Sequence, residues 1–372
     1  MNFDERPILV FWETTRACLL ACRHCRAEAI PTPQPGELTT EEGEQMIRDL
    51  PSFGPRPPVL IFTGGDPLMR DDLFDQAGLA TSLGIPIGFA PAVTSRLDEQ
   101  AMDRMRSAGA KTVSISLDGA TAATHEGVRG IEGHFGETIR AIRALVERGF
   151  AVQVNTTVMR SNVEELADVA ALVASLGVQI WEVFFLIRTG RGAELEELTP
   201  EENEEVAHFL FDASCYGFIV RTVEAPFFRR VVGWRRELGL DTDASDAFSL
   251  GPRYRRLNDR LKAQLGAPGI PRAQSAGTRD GKGIVFVSHK GDVFPSGFLP
   301  STVGNVRQAS IVELYRTSSL LKAIRAAAFG GRCGICEFRD LCGGSRARAY
   351  AAFLDPLAED PGCAYLPSPL PQ

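Results

Sequence analysis

The fold of this chain is limited most by a repeated alternation of short β-rich apolar runs with longer amphipathic segments, from about residue 7 to residue 225. Such alternation is typical of βα units built around a parallel sheet. Several of the amphipathic segments end on glycine, as helix C-termini often do. The predicted strands are 8–12, 59–65, 85–93, 111–117, 151–158 and 179–187. Six such units predict an α/β fold with an open or partial barrel, (β/α)6, rather than a closed eight-unit one.

The remainder of the 372 residues divides into two further predicted regions. Residues 226–280 are irregular, mixing Arg-rich, helix-like stretches with Gly- and Pro-containing ones, and are predicted to be a connector. Residues 281–372 begin with a predicted β-hairpin that turns at 290–292, and a helical segment follows it. The predicted domains are therefore a partial barrel (1–225), a connector (226–280) and a small C-terminal hairpin and helix domain (281–372).

Charge and hydropathy exclude several classes of protein. The formal net charge is −7, and acidic and basic residues are interspersed, so no basic surface for nucleic acid or an anionic membrane is predicted. The N-terminal segment has acidic residues before a short apolar run and does not fit a signal peptide. Apolar segments fall short of the roughly 18 residues of a membrane span. These features predict a soluble, cytoplasmic protein.

The eight cysteines are clustered along the chain. A disulfide framework is typical of small secreted domains, and this chain is long and lacks a recognisable export signal. Clustering instead favours metal binding. The first group is Cys18, Cys22 and Cys25, the second is Cys333, Cys336, Cys342 and Cys363, and Cys215 lies outside both and is interpreted as a core thiol.

The first group lies directly after the first predicted strand, on a loop at that strand's carboxyl end. A 4Fe–4S cluster normally has four cysteine ligands, so three thiolates would leave one iron open to a substrate or cofactor. Structural zinc is the alternative, because spacings of two and three residues between cysteines also occur in zinc proteins.

The Cys18-x3-Cys22-x2-Cys25 motif after the first strand of a partial barrel resembles the radical S-adenosylmethionine (SAM) superfamily. Thr63-Gly64-Gly65-Asp66-Pro67, at the end of the second strand, resembles the family's Gly-Gly-Glu-like turn, although Asp66 stands where Glu is commoner. The resemblance implies that a 4Fe–4S cluster held by the three cysteines binds SAM. One-electron reduction would then yield a 5′-deoxyadenosyl radical that abstracts hydrogen from a substrate.

The same resemblance implies contacts to SAM at the carboxyl ends of later strands. Alternating polar residues in the fourth and fifth strands, such as Ser116 and Asn155, give each a polar face. The residues expected to bind SAM are Gly64, Gly65, Asp66, Ser116, Asn155 and Arg188. His125 and Arg129 are expected to contact substrate. The alternatives are a core hydroxyl for Ser116, a turn former for Asn155, a surface ion pair for Arg188, and a solvated helix N-terminus for His125 and Arg129.

The second group provides four thiolates, enough for a whole iron–sulfur cluster or a structural zinc. The text CGICEFRDLCGGSRARAYA resembles the auxiliary-cluster region of SPASM and twitch radical SAM proteins, which implies a second 4Fe–4S cluster held by Cys333, Cys336, Cys342 and Cys363. Ser296 stands near a position where SPASM proteins carry a further cysteine. We therefore expect a single auxiliary cluster, closed to substrate, with an electron-transfer or structural role.

Across nearly the whole chain, the resemblance is closest to radical SAM proteins that modify tetrapyrrole side chains in haem and haem d1 biosynthesis. It implies an enzyme of cofactor biosynthesis that removes or decarboxylates a side chain, with a low-potential electron donor such as ferredoxin or flavodoxin. Two alternatives remain open. One is a maturase that forms links in, or decarboxylates, a ribosomally made peptide, and the other is a binding protein with purely structural metal.

Overall fold

The chain folds around one large sheet, in a computed structural model that describes residues 2–239, 244–274 and 277–367. Residues 240–243 and 275–276 of the predicted connector, and the last residues of the predicted C-terminal domain, lie outside the described residues. From one edge to the other, the strands of the sheet are β11 (304–305), β10 (292–294), β9 (283–287), β1 (9–13), β2 (59–63), β3 (87–89), β4 (112–116), β5 (151–158), β6 (180–185) and β7 (219–223). A further short strand, β8 (279–280), pairs with β9. This mixed α/β architecture confirms the predicted fold class.

The strands β1 to β7 are parallel and adjacent in chain order. The first six overlap the six predicted strands, and β7 is an addition that pairs with β6, Glu182 lying opposite Arg221. Their bounds are β1 Leu9–Glu13, β2 Val59–Thr63, β3 Ile87–Phe89, β4 Thr112–Ser116, β5 Ala151–Val158, β6 Ile180–Phe185 and β7 Ile219–Val223.

The C-terminal strands continue the same sheet. They are β8 Arg279–Asp280, β9 Gly283–Val287, β10 Asp292–Phe294 and β11 Gly304–Asn305. Strands β9 and β10 form the predicted antiparallel hairpin. In addition, β9 pairs in parallel with β1, with Phe286 opposite Phe11. The first strand of the chain is therefore an interior strand, bordered by β2 on one side and β9 on the other.

Helices follow most of the strands. Two of them begin with capping boxes, in which Thr39 and Glu42, or Thr199 and Glu202, exchange side-chain and backbone hydrogen bonds. The helices are α1 Thr40–Asp49, α2 Leu73–Ser82, α3 Glu99–Ser107, α4 Ala122–Arg129, α5 His134–Glu147, α6 Leu166–Ser175, α7 Pro200–Ala213, α8 Phe228–Leu238, α9 Ala244–Ala247, α10 Pro252–Leu265, α11 Ile311–Thr317, α12 Ser319–Arg325, α13 Gly331–Ile335 and α14 Arg346–Phe353. Within the described ranges, none of these helices has the length and apolar character needed to cross a bilayer.

The two faces of the parallel sheet differ in burial. On β4, Val113 and Ile115 are fully buried among the outer helices, whereas Ser114 and Ser116 on the other face remain partly accessible. Strand β5 repeats the pattern, with Val154 buried and Asn155 partly accessible. We call the space enclosed by this polar inner face the lumen. Side chains at the carboxyl ends of the strands, where barrel active sites form, border its mouth.

Candidate active site at the carboxyl ends of the strands

The first cysteine group lies on the loop after β1. Cys18, Cys22 and Cys25 pack together with Leu20 and Ala29 in a small apolar cluster. The Leu20 N–H donates a hydrogen bond to Cys18 Sγ at 3.3 Å. Burial raises the pKa of Cys18 to about 12, against the effect of that N–H. We call residues 14–30 the cysteine loop.

The glycine pair after β2 lies directly against the cysteine loop. The Gly65 N–H donates to Thr15 O at 2.8 Å and the Asp66 N–H donates to Ala17 O at 2.7 Å. A Cβ on Gly64 would lie 2.6 Å from Thr15 O, and one on Gly65 would lie 2.6 Å from Arg16 O. Side chains are therefore excluded at both positions by backbone atoms, which cannot move aside cheaply.

The carboxylate of Asp66 is held by its own surroundings. It accepts hydrogen bonds from the Leu68 N–H at 3.1 Å, the Ala92 N–H at 3.3 Å and the Thr94 hydroxyl at 3.1 Å. Burial raises the pKa of Asp66 to about 6, although these donors oppose the shift. The carboxylate of Asp66 thus links the turn after β2 to residues that follow β3. The backbone of the turn, rather than this side chain, borders the lumen.

The loop after β6 clamps the cysteine loop from the opposite side. Arg191 donates from Nε to Cys22 O at 2.9 Å and from Nη1 to Ala29 O at 3.0 Å, and its N–H donates to Cys25 O at 3.1 Å. Gly190 has a φ of +53° and approaches the backbone of Arg26 too closely for a side chain. The cysteine loop is therefore fixed by backbone hydrogen bonds on two sides.

A buried ion network connects the cysteine loop to the end of β4. Asp118 Oδ2 lies 2.9 Å from His24 Nε2 and 2.5 Å from Arg129 Nη2. Arg129 Nη1 in turn reaches Cys22 Sγ at 3.5 Å. Burial alone would raise the pKa of Asp118, but the charges of Arg129 and His24 outweigh it and hold that pKa well below its usual range. Arg129 lies between Asp118 and a cysteine sulfur, and its contact with substrate stays a prediction.

His125 is fully buried behind the same network. Its Nδ1 accepts from the Asp118 N–H at 3.1 Å, so its Nε2 carries the proton and donates to His134 Nδ1 at 2.8 Å. His134 Nε2 then donates to Val93 O at 2.9 Å. Burial and the charge of Arg129 lower the pKa of His125 to about 3, consistent with a neutral ring. These contacts lend no support to a substrate role for His125, which stays a prediction.

A polar row crosses the inner face of the sheet. Ser116, Asn155, Glu182 and Arg221 lie side by side on β4 to β7. Gln153 Nε2 donates to both Asn155 Oδ1 and Glu182 Oε2 at 2.8 Å. Burial raises the pKa of Glu182, although Arg221 and Gln153 oppose the shift. Neither Glu182 nor Arg221 was among the predicted site residues, although Glu182 interrupts an apolar strand with the alternation noted for β4 and β5.

Arg188, the last residue predicted to bind SAM, follows β6 and is exposed. Its Nε donates to Ala193 O at 3.1 Å. Arg188 lies on the same loop as Arg191, toward the carboxyl ends of the strands and near Glu197. Burial raises the pKa of Glu197, although the charges of Arg348 and Arg188 oppose the shift.

The second cysteine group lines one pocket together with Arg230. The four residues are Cys333, Cys336, Cys342 and Cys363. Three of the sulfurs accept backbone hydrogen bonds, from Asp360 at 3.3 Å, Phe338 at 3.4 Å and Gly344 at 3.4 Å. Burial raises the pKa of Cys342 to about 12, against the Gly344 N–H. Cys215 lies elsewhere, buried at the end of α7.

The two cysteine groups each bring thiols close together without forming a site for a single metal ion. No three His, Cys, Asp or Glu side chains within the described ranges converge on a point that one metal ion would occupy. A 4Fe–4S cluster binds each thiolate to a different iron, so its ligands surround a volume instead. Backbone N–H groups directed at the sulfurs favour the thiolate form that iron requires.

Two comparisons with known proteins bear on the family. The Radical SAM superfamily profile matches residues 12–173, from β1 through most of α6. The AdoMet-dependent heme synthase of Oleidesulfovibrio alaskensis is 36% identical over 371 residues, covering 98% of this chain and 88% of that protein. The chain belongs to the radical SAM superfamily. Membership makes it an enzyme that uses a 4Fe–4S cluster and SAM, so the structural-metal alternative is wrong.

Other radical SAM proteins extend the comparison. The mycofactocin maturase MftC of Mycobacterium ulcerans is 29% identical over 367 residues, covering 96% of this chain and 88% of that protein. A crystal structure of Streptococcus suis SuiB bound to S-adenosylmethionine superposes with a TM-score of 0.68 at 13% identity, covering 97% of this chain and 78% of that one. The SuiB likeness shows that a protein crystallised with S-adenosylmethionine has the same fold over nearly the whole of this chain.

Proposed function

We propose that this radical SAM enzyme removes or decarboxylates carboxylate-bearing side chains of a tetrapyrrole. The observation that carries the proposal is the 36% identity to an AdoMet-dependent heme synthase, which extends over nearly the full length of both chains. The hydrogen taken from a propionate side chain ends in 5′-deoxyadenosine. Loss of the carboxyl group as CO2 then leaves a carbon–carbon double bond and one electron.

Cys18, Cys22 and Cys25 are the proposed ligands of the SAM-binding cluster. Their packing on one loop, and the backbone hydrogen bonds that fix this loop on two sides, support the assignment. When bound, the cluster and SAM supply one-electron cleavage and a 5′-deoxyadenosyl radical. The Asp118–Arg129 pair orients the loop and provides Cys22 with a cationic neighbour.

SAM is proposed to lie across the mouth of the lumen. The backbone of Gly64, Gly65 and Asp66 borders the cysteine loop on one side, and Ser116 and Asn155 lie adjacent on the inner face. Arg188 follows β6 and offers a cation for the SAM carboxylate. The proximity of the glycine turn to the cysteine loop supports this arrangement.

The C-terminal region contacts the barrel beside the lumen, and these contacts would help to keep water from a substrate radical. Phe298, after β10, lies against Phe184 of β6 with ring centroids 6.1 Å apart. Arg26 of the cysteine loop stacks on Phe286 of β9, with its guanidinium carbon 4.4 Å from the ring centroid. Exclusion of solvent limits quenching of reactive intermediates.

Cys333, Cys336, Cys342 and Cys363 are the proposed ligands of one auxiliary 4Fe–4S cluster. Their shared pocket and the N–H groups directed at three of the sulfurs support this assignment. Ser296, which stands near the position of a further cysteine in SPASM proteins, is buried. Four protein ligands leave no iron open to substrate. The predictions of a ferredoxin or flavodoxin as electron donor and of a cytoplasmic location stand alongside this proposal.

The test is anaerobic reconstitution and reduction with SAM, with either a propionate-bearing tetrapyrrole or a candidate precursor peptide. We expect the tetrapyrrole to raise 5′-deoxyadenosine formation and to lose mass equal to CO2 for each side chain. Cys18→Ala/Cys22→Ala/Cys25→Ala should abolish both products, whereas Cys215→Ala should retain them. If the peptide is turned over and the tetrapyrrole is not, the peptide-maturase alternative is favoured over the proposed function.

A further inference from the structure

Three arginines near the second cysteine site form no ion pair with a carboxylate of the described residues, although the charge of buried Asp280 acts on Arg229 and Arg346. Arg346 is fully buried and Arg279 is 5% exposed, yet neither forms an ion pair with any carboxylate of the described residues. Arg229 is half-buried and shares this property. By contrast, Arg230 in the same pocket is neutralised by Glu204 through two hydrogen bonds of 2.7 Å.

Most hydrogen bonds of these arginines go to the segment that carries the cysteines, and Arg279 Nη2 also donates to Ile324 O of α12 at 3.2 Å. Arg279 Nη1 donates to Cys342 O at 3.3 Å, and Arg346 Nε donates to Gly344 O at 3.2 Å. Arg346 Nη2 also lies 3.6 Å from Cys333 Sγ. Arg229 Nη1 donates to Leu341 O at 3.0 Å. The guanidinium group of Arg346 therefore reaches a cysteine sulfur, and those of Arg279 and Arg229 bind carbonyl oxygens of the segment that carries the cysteines.

Two glycines make this close approach possible. Gly343 has a φ of +72°, and a Cβ there would overlap the Arg279 guanidinium. Gly344 has a φ of +66°, and a Cβ there would lie 2.5 Å from Arg346 Nη2 and 2.9 Å from Cys333 Sγ. The Cys-Gly-Gly sequence thus leaves room for the two cations beside the sulfurs.

A buried guanidinium that no counter-charge contacts directly is unfavourable. Four thiolates around an oxidised 4Fe–4S core leave a net charge of about −2, which would offset two of the three cations. A one-electron-reduced cluster carries one further negative charge. Fixed cations nearby therefore stabilise the reduced form more than the oxidised form.

We propose that Arg279 and Arg346 raise the reduction potential of the auxiliary cluster, so that it takes up the electron left by substrate decarboxylation. The inference rests on the auxiliary cluster of the proposed function. The electron balance closes within that function, since the double bond and CO2 form with release of one electron and the oxidised cluster gains it. Both arginines act on the site through their charge and are positioning residues.

The experiment is a redox titration of the full chain, reconstituted anaerobically in a Cys18→Ala/Cys22→Ala/Cys25→Ala background so that only the auxiliary cluster gives an EPR signal. We expect Arg279→Gln and Arg346→Gln each to disfavour reduction at least ten-fold, which for one electron is a fall in midpoint potential of about 59 mV. Arg346→Lys, which keeps the charge, should retain most of the wild-type value. Unchanged or higher potentials in both Gln variants would overturn the inference.

Two controls complete the test. Glu204→Gln/Arg230→Gln removes an ion pair with no net charge from the same pocket. It should shift the midpoint potential of the auxiliary cluster much less than Arg279→Gln or Arg346→Gln does. If a Gln variant loses its iron, Arg229→Gln, at a less buried site, provides the same comparison, and an unchanged potential there counts against the inference. Absence of a second cluster from the parent background would instead refute the auxiliary cluster itself.

Discussion

The buried Asp118 carboxylate has two cationic neighbours, and its removal should be costly. Asp118→Asn leaves Arg129 buried without a counter-charge, and breaking a buried pair in this way costs about 3–5 kcal/mol. We expect a loss of that order in the free energy of unfolding, measured by chemical denaturation under anaerobic conditions. Asp118→Asn/Arg129→Met should lose less than the sum of the two single variants. Additive losses would show that the two residues do not interact.

Gly65 should tolerate no side chain. Gly65→Ala directs a methyl group into the backbone of the cysteine loop, 2.6 Å from Arg16 O, and should lower iron retention at the first site and 5′-deoxyadenosine formation at least ten-fold. Gly78→Ala is the matched control, because a Cβ there meets no atom within 4 Å on helix α2. That variant should gain about 0.5–1 kcal/mol of stability without loss of activity. An active Gly65→Ala enzyme would contradict the close packing.

Glu182 should make the stability of the chain pH-dependent. Because burial raises the pKa of Glu182, the folded chain binds the proton of this carboxyl more tightly than the unfolded chain does. The resulting stabilisation is complete below the pKa of Glu182 in the unfolded chain. It is lost as the pH rises through the pKa of Glu182 in the folded chain. Glu182→Gln should therefore become increasingly more stable than the wild type as the pH rises above about 4.3. Thermal unfolding across pH measures the effect, and Glu196→Gln, at an exposed site, should change stability by less than about 0.5 kcal/mol. A difference in stability between Glu182→Gln and the wild type that stays constant with pH would refute the raised pKa of Glu182.

The loop after β6 acts on chemistry through the cysteine loop it clamps. Arg191→Met removes the side-chain bonds to Cys22 O and Ala29 O, and should lower iron at the first site and 5′-deoxyadenosine formation roughly ten-fold or more, since small misplacements have large catalytic costs. Iron at the second site should be unaffected. The two pools can be separated by EPR. Arg160→Met, whose partner Glu202 lies on α7, serves as the control and should retain both.

Most strands could be predicted because each is a short apolar run closed by turn residues. Strand β7 was missed since Ile219–Val223 is interrupted by Arg221, which faces the lumen and breaks the apolar pattern. The pairing of β9 with β1 has no local signature, because it joins residues more than 270 positions apart.

At the site, the cysteine groups were evident from spacing alone. The Asp118–Arg129 pair was not, because its members are separate in sequence and the fold alone brings them together. The substrate role of Arg129 stays a prediction, and the sequence did not reveal the partners of its guanidinium group. The arginines at the second site were unrecognised for the same reason, since nothing local marks a buried cation as unpaired.

The chain as a whole should not separate cleanly after residue 225. Residues 1–225 alone would expose the backbone edge of β1 that β9 pairs with. We expect this fragment to aggregate when expressed, as judged by size-exclusion chromatography, whereas the full chain should remain soluble. The predicted domain boundary at 225 gains support as a folding boundary only if the fragment is monomeric and unfolds cooperatively.

The central place of β1 in the sheet also determines when the enzyme can mature. Residues 9–13 leave the ribosome early, but their second neighbour, residues 283–287, emerges only after three quarters of the chain has been made. The cysteine loop that follows β1 therefore rests on a half-paired strand through most of synthesis. Final enclosure of the first site, and any protection of its thiols from oxidation, must wait until residues 283–287 have been made.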